Sequence, residues 1–257
     1  MNLHGHPAFI TGGGSGLGAA TAEALVQAGA RIALLDIDIA RAEATATRLG
    51  GTAHHCDVAD AASAEAAMAA ALAVHGPPRL LVNCAGIGPA ARIIGRDGAM
   101  PLAAFARVIN INLIGTFNLL RLAADAMSKA DPLDNPSGTG ERGVIVNTAS
   151  IAAFEGQIGQ TAYAASKGGV ASLTLPAARE LARHGIRVVT IAPGIFRTPM
   201  LEALPDDVKA SLGASVPFPP RLGEPSEYAA LVLHIVANGM INGETIRLDG
   251  ALRMAAR

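Results

Sequence analysis

Ala8-Phe9-Ile10-Thr11 runs directly into Gly12-Gly13-Gly14-Ser15-Gly16-Leu17-Gly18, and an Ala-rich amphipathic stretch continues to Ala28. The apolar run reads as a buried strand, the glycines as a tight turn, and the residues from Leu17 as a helix. That order suits a pyrophosphate, because glycine lets the backbone come close and a helix N-terminus offers unpaired amides and a positive dipole end. Taken alone, the stretch is also compatible with a strand-to-helix turn that holds nothing.

The alternation continues along the chain. Further short apolar runs lie at Arg31–Asp36, Leu80–Asn83, Val144–Thr148, Arg187–Ile191 and Thr245–Leu248, with helical candidates at Ala40–Leu49, Ala62–His75, Leu102–Lys129, Thr161–His184 and Ser226–Ala237. Strands that are apolar throughout are buried on both faces. The expectation is therefore an α/β fold: a Rossmann-type, doubly wound parallel sheet in one domain spanning residues 1–257. Two segments break the pattern. Asp131–Gly143, with two Pro and three Gly, reads as an exposed loop. Pro193–Pro225 carries seven prolines and a short helical patch near Asp206–Leu212, and it is long enough to act as a substrate-covering loop. Its apolar residues Phe196, Met200, Leu201, Leu204, Leu212 and Phe218 suit closure over an apolar chain, or packing against the core or another subunit.

Composition narrows the class. With 51% hydrophobic and 16% charged residues, the chain can bury a large core. Its 20 Lys plus Arg against 21 Asp plus Glu remove the electrostatic case for a nucleic-acid partner. Cys56 and Cys84 stand apart, without clustered His or Cys, so neither a disulfide scaffold nor a metal site is expected. No run of about 18 apolar residues occurs, so no membrane association is expected. No basic segment with an apolar core precedes Gly12, so a soluble chain without a presequence is the expectation.

Asp36 closes the second strand, eighteen residues after Gly18. A carboxylate there can accept hydrogen bonds from both adenosine ribose hydroxyls and would repel a 2'-phosphate, which favours NAD over NADP. Tyr163 and Lys167, four residues apart, share one helix face. A tyrosine titrates near 10, so basic action near neutrality requires a shift of about three units, roughly 4 kcal/mol. One cation about 4 Å away at an effective dielectric of 20 supplies about that much. Burial would oppose the shift, so a second aid is needed, such as a hydroxyl donor or an oxidised nicotinamide ring. Ser150, just beyond the apolar run at Val144–Thr148, is the candidate donor.

Together, Thr11 to Gly18, Asn83-Cys84-Ala85-Gly86, Asn112, Ser150, Tyr163-x-x-x-Lys167 and Pro193-Gly194 resemble the short-chain dehydrogenase/reductase family in order and spacing. The stretches Asn147–Gln160, Val216–Pro225 and Asn242–Ala251 are similar to its type-2 3-hydroxyacyl-CoA dehydrogenases, a subgroup that also oxidises some hydroxysteroids. The loop from Asp131 to Arg142 sits where that subgroup carries an insertion. The resemblance implies NAD as cofactor, a homotetramer, an acyl-CoA or other secondary-alcohol substrate, and a cytoplasmic location, or the mitochondrial matrix for a eukaryotic source.

The resemblance also implies roles. Tyr163 is the general base, Lys167 binds the nicotinamide ribose and lowers the Tyr163 pKa, Ser150 orients the substrate oxygen, and Asn112 holds a water that links Lys167 to solvent. Gly12, Ser15, Gly16, Leu17, Gly18, Asp36, Asp57, Val58, Cys84, Ala85, Gly86 and Phe196 match cofactor positions, with Pro193, Gly194 and Thr198 around the nicotinamide. Gln160 and Leu204 join Ser150 on the substrate side. Asn110 competes with Asn112, but Asn112 before Leu-Ile-Gly-Thr-Phe fits the family spacing better. The usual Asn-Asn-Ala-Gly reads Asn83-Cys84-Ala85-Gly86 here, a cysteine the subgroup shares. Rival readings are a steroid or simple-alcohol dehydrogenase, a 3-oxoacyl-carrier-protein reductase, which Asp36 disfavours because that activity usually runs on NADPH, and a scaffold subunit. His54 and His55, on a short strand before Asp57, read as packing or solvent-facing residues.

Overall fold

Seven strands form one parallel sheet in the order β3-β2-β1-β4-β7-β8-β9. They are β1 (Pro7–Thr11), β2 (Arg31–Asp36), β3 (Thr52–His55), β4 (Leu80–Asn83), β7 (Gly143–Thr148), β8 (Ile186–Pro193) and β9 (Thr245–Leu248), while β5 (Ile94–Gly95) and β6 (Gly98–Ala99) make a separate small hairpin. The computed structural model describes residues 1–133, 138, 140–202 and 205–256. Leu204 and part of the Asp131–Arg142 loop therefore lie outside the described residues.

Side chains alternate across each strand, which produces two cores. Ala8 and Ile10 join Leu34, Val82, Val146 and Ile191 beneath α1 (Gly16–Gln27), α2 (Ile39–Leu49) and α10 (Pro225–Ala237). Phe9 turns the other way, with Leu35, Leu81, Ile145 and Val188, beneath α3 (Ala61–His75), α5 (Gly115–Ser128) and α7 (Thr161–Leu181). The chain runs outward from β1 to β3 and then returns to place β4 on the other side of β1, with Thr11 opposite Asn83. Such a reversal opens a crevice at the carboxyl ends of the strands.

Helix starts differ in a way that matters for this crevice. Asp38 caps α2 by accepting from Arg41 N at 3.2 Å, and Asp60 caps α3 by accepting from Ser63 N at 2.8 Å. Ser15 precedes α1 in an extended conformation and makes no such bond. The α1 amides are left to another acceptor.

The helix expected over Leu102–Lys129 forms as α4 (Leu102–Ile109), a π turn at Asn110–Ile114, and α5, in one unbroken run. By length and mean hydropathy, 1.3 over 18 residues, this helix could cross a membrane, but α5 packs Leu119, Ala123 and Met127 onto the sheet. The long segment after β8 holds α8 (Pro199–Glu202) and α9 (Asp206–Ala214), and α6 (Ala152–Glu155) lies before α7.

Candidate active site

The glycine loop is shaped by close approach. A Cβ on Gly12, whose φ is +64°, would lie 2.9 Å from Ala85 N, and one on Gly18 would strike the carbonyl oxygen of Gly12. Thr11 Oγ1 accepts from Cys84 N and Ala85 N, each at 3.1 Å, binding the end of β1 to the start of the Cys84-Ala85-Gly86 turn. Asp36 sits beside this loop, with one carboxylate oxygen accepting from Gly14 N at 2.9 Å and the other from Asp38 N at 3.0 Å. Across the crevice, Asp57 accepts from Ala59 N, and the Val58 carbonyl accepts from Asn118 Nδ2.

Behind the crevice, Tyr163 and Lys167 come from the first turns of α7. Lys167 is 5% exposed; its Nζ donates to the Thr148 carbonyl at 2.7 Å and lies 5.8 Å from the Tyr163 ring centre. Burial lowers its pKa to about 8. Burial also pushes the Tyr163 phenol above its ordinary range, while a hydrogen bond from Ser150 pulls it back down. Asn112, in the π turn, is fully buried. Its Oδ1 accepts from Ile87 N and its Nδ2 donates to Ile87 O, both at 2.8 Å, and Nδ2 also donates to Ser166 Oγ at 3.0 Å. Asn110 is exposed.

The segment after β8 meets the glycine loop. Pro199 Cδ would be 3.4 Å from a Cβ on Gly16 and Thr198 Cβ 3.9 Å, and the Thr198 carbonyl caps α8. Gly194 packs against Asp249, and the Pro193 carbonyl accepts from Ile151 N. Phe196 corrects an expectation: it is 6% exposed, in the core beside Gly223, so it anchors this segment and is not free to close over a substrate. Phe218 is exposed. Gln160 Oε1 turns back to accept from Gln157 N at 3.0 Å.

Residues 6–209 match the short chain dehydrogenase family. This chain belongs to it. The chain is 51% identical over 257 residues to 3-hydroxyacyl-CoA dehydrogenase type-2 of Bos taurus, covering 98% of this chain and 97% of that protein. Among solved structures, 3-hydroxyacyl-CoA dehydrogenase type-2 from Mycobacterium avium superposes with a TM-score of 0.92 at 42% identity, covering 98% of each chain. A 3-ketoacyl-(acyl-carrier-protein) reductase from Brucella melitensis, complexed with NADH, superposes with a TM-score of 0.84 at 30% identity, over 98% of this chain and 100% of that one. The chain is an oxidoreductase of this family, and its cofactor is a nicotinamide nucleotide.

Some parts of this dehydrogenase's site are not marked by any sequence motif quoted above. Thr148 holds Lys167 through its backbone carbonyl, Ile87 holds Asn112 through its backbone, and Ser166 donates to the Tyr163 carbonyl at 2.7 Å. Ser166 had one available signal, its place directly before Lys167. Among the described residues no group of three or more His, Cys, Asp or Glu could hold a metal, and His54 bonds with Thr52 at 3.0 Å.

Proposed function

We propose that this chain reversibly oxidises the 3-hydroxyl of an acyl-CoA with NAD, the observation that carries it being Ser150 and Lys167 converging on Tyr163 behind an uncapped glycine loop. The substrate class follows the relatives, which match over nearly their full length. The cradle fits a dinucleotide: Gly12 and Gly18 leave no room for a Cβ, and α1 keeps its first amides uncapped. Gly12 through Gly18 hold the pyrophosphate, with Ser15, Gly16 and Leu17 at the helix start. Asp57, Val58, Cys84, Ala85 and Gly86 line the adenosine side, and Pro193, Gly194, Phe196 and Thr198 the nicotinamide side. Asp36 keeps a second lone pair on each carboxylate oxygen for a ribose hydroxyl, which selects NAD.

The bound cofactor supplies the hydride acceptor. Tyr163 takes the hydroxyl proton while Ser150 and Gln160 hold the substrate. Taking the 5.8 Å from Nζ to the Tyr163 ring centre as the separation, and an effective dielectric of 20, the Lys167 charge is worth roughly 3 kcal/mol, about two pH units on Tyr163. About three are needed and burial works against them, so Ser150 and the positive charge of the oxidised ring complete the shift. Lys167, with a pKa near 8, stays mostly protonated at neutral pH. Both Nδ2 protons of Asn112 are engaged, by Ile87 O and Ser166 Oγ, so the water it holds would donate to an oxygen of this residue.

The segment that runs from its anchor at Phe196 to Arg221 would cover the substrate with the part beyond Phe196. Exposed Ile114 and Phe117 on the π turn and α5 suit a homotetramer contact, and the two free thiols suit a reducing compartment such as the cytoplasm. The test is NADH formation against 3-hydroxyacyl-CoAs, hydroxysteroids and simple secondary alcohols, with NADP run in parallel. Highest kcat/KM for an acyl-CoA with NAD is the expected result. A higher value for a steroid, or for NADP, overturns the corresponding half of the assignment.

A further inference from the structure

Behind Lys167 lies a chain of hydrogen bonds that the reaction scheme above does not use. The Thr148 hydroxyl is 2.6 Å from the Asn83 carbonyl and 2.7 Å from Tyr228 Oη. A threonine hydroxyl has one proton and a carbonyl only accepts, so Thr148 donates to Asn83 and Tyr228 must donate to Thr148. The Cys84 thiol lies 3.8 Å from both hydroxyls, Tyr228 Oη and Thr148 Oγ1, and faces the pair. Through the two hydroxyls the bonds run one way, from Tyr228 to Thr148 to Asn83.

Tyr228 stands in the first turn of α10 and is 0% exposed. A buried tyrosine hydroxyl needs a partner in any case, and the partner here belongs to the residue whose carbonyl holds the Lys167 ammonium. Lysine has a long flexible stem, so the place of its charge depends on what anchors the head group. Here the anchor is the Thr148 peptide at the end of β7, with its hydroxyl held between the end of β4 and α10. On the other side, Lys167 Nζ would be 3.5 Å from a Cβ on Gly86. The titratable groups around this cluster are Tyr163 and Lys167 on α7, Cys84 after β4, and Tyr228 on α10.

We propose that Tyr228 is a positioning residue for the dehydrogenase reaction, which by donating to Thr148 fixes the carbonyl that holds Lys167 beside Tyr163. This rests on the assignment of Tyr163 and Lys167 above. Loss of the bond lets the lysine head group wander, weakening its effect on the Tyr163 proton and its hold on the cofactor ribose.

Tyr228→Phe removes only the hydroxyl. The expected result is a fall in kcat of about 5- to 20-fold, a KM for NAD raised several-fold, and an acidic limb of the kcat/KM profile moved up by about half a pH unit. Thr148→Val should show the same effects, Thr148→Ser should restore them, and the Tyr228→Phe/Thr148→Val double variant should be no worse than either single one. A Tyr228→Phe protein that melts earlier but keeps the wild-type kcat and acidic limb overturns the proposal and makes Tyr228 a packing residue. Should Tyr228→Phe fail to fold, equal kcat and limb position in Thr148→Val and Thr148→Ser overturn it instead. Tyr163→Phe separates the two levels. If that variant keeps wild-type turnover, the base assignment falls and the positioning role with it; if it is inactive while Tyr228→Phe leaves the limb unmoved, only the positioning role falls.

Discussion

Alanine at Gly12 and at Gly50 poses the same backbone problem in different surroundings. Both glycines have positive φ, +64° and +72°, which costs an L-residue about 1–2 kcal/mol. Nothing lies within 4 Å of a Cβ on Gly50, so that variant should lose only this amount. A Cβ on Gly12 would meet Ala85 N at 2.9 Å, Ala85 Cα at 3.0 Å and the Cys84 carbonyl carbon at 3.1 Å, all backbone atoms that cannot rotate aside. Overpacking of this kind adds about 1–3 kcal/mol, for a total of about 2–5. At about 2–4 °C per kcal/mol, Gly50→Ala should melt roughly 2–8 °C early and Gly12→Ala about twice as far below wild type. Relief of the overlap must push the Cys84-Ala85-Gly86 turn away from the glycine loop and widen the cradle. Thermal melting and titration of NADH fluorescence should therefore give Gly12→Ala at least a tenfold weaker Kd and Gly50→Ala an unchanged one. Equal melting shifts with unchanged NADH affinity in both would refute close approach as the determinant of the cradle.

Tyr163→Phe should lower kcat by about a thousandfold or more while NADH Kd stays within about threefold, measured by stopped-flow and fluorescence titration. Asp36→Ala should narrow the NAD-to-NADP ratio of kcat/KM and also weaken NAD, because it removes the acceptor of Gly14 N; Asp36→Asn, which keeps an acceptor, should retain more NAD affinity. His54 and His75 both have pKa values lowered chiefly by burial. The unfolded chain then takes up protons first, so their contribution to stability is complete above about pH 6.5 and is lost as pH falls toward the folded-state values. Urea midpoints should drop between pH 7.5 and 5.5, and His75→Gln should flatten that slope.

The main sheet was legible because its inner strands are buried on both faces, which leaves runs such as Leu80–Asn83 and Val144–Thr148 with few polar interruptions. β3 is an edge strand with partly exposed residues, so Thr52–His55 carries only a weak signal. The β5–β6 hairpin has two residues per strand, too short for any period to register. The sequence offers candidate-site residues where chemistry sits in a side chain, as with Asp36, which lies beside the glycine loop, and Ser150 and Lys167, which lie beside Tyr163. Contacts made by the backbone of Thr148 and Ile87 carry no residue-type signature, and Tyr228 lies 61 positions beyond Lys167 with no motif to join them.

The π turn at Asn110–Ile114 also bears on which insertions and deletions this gene could survive. A π turn holds one more residue than an α turn over the same span, so losing one residue from it would let the helix close to α geometry with little rotation of what lies downstream. Leu119, Ala123 and Met127 would stay on the sheet, while Asn112 would lose its place opposite Ile87. A one-residue deletion here should therefore spare the fold and strike the site, so such losses are purged for activity and not for stability.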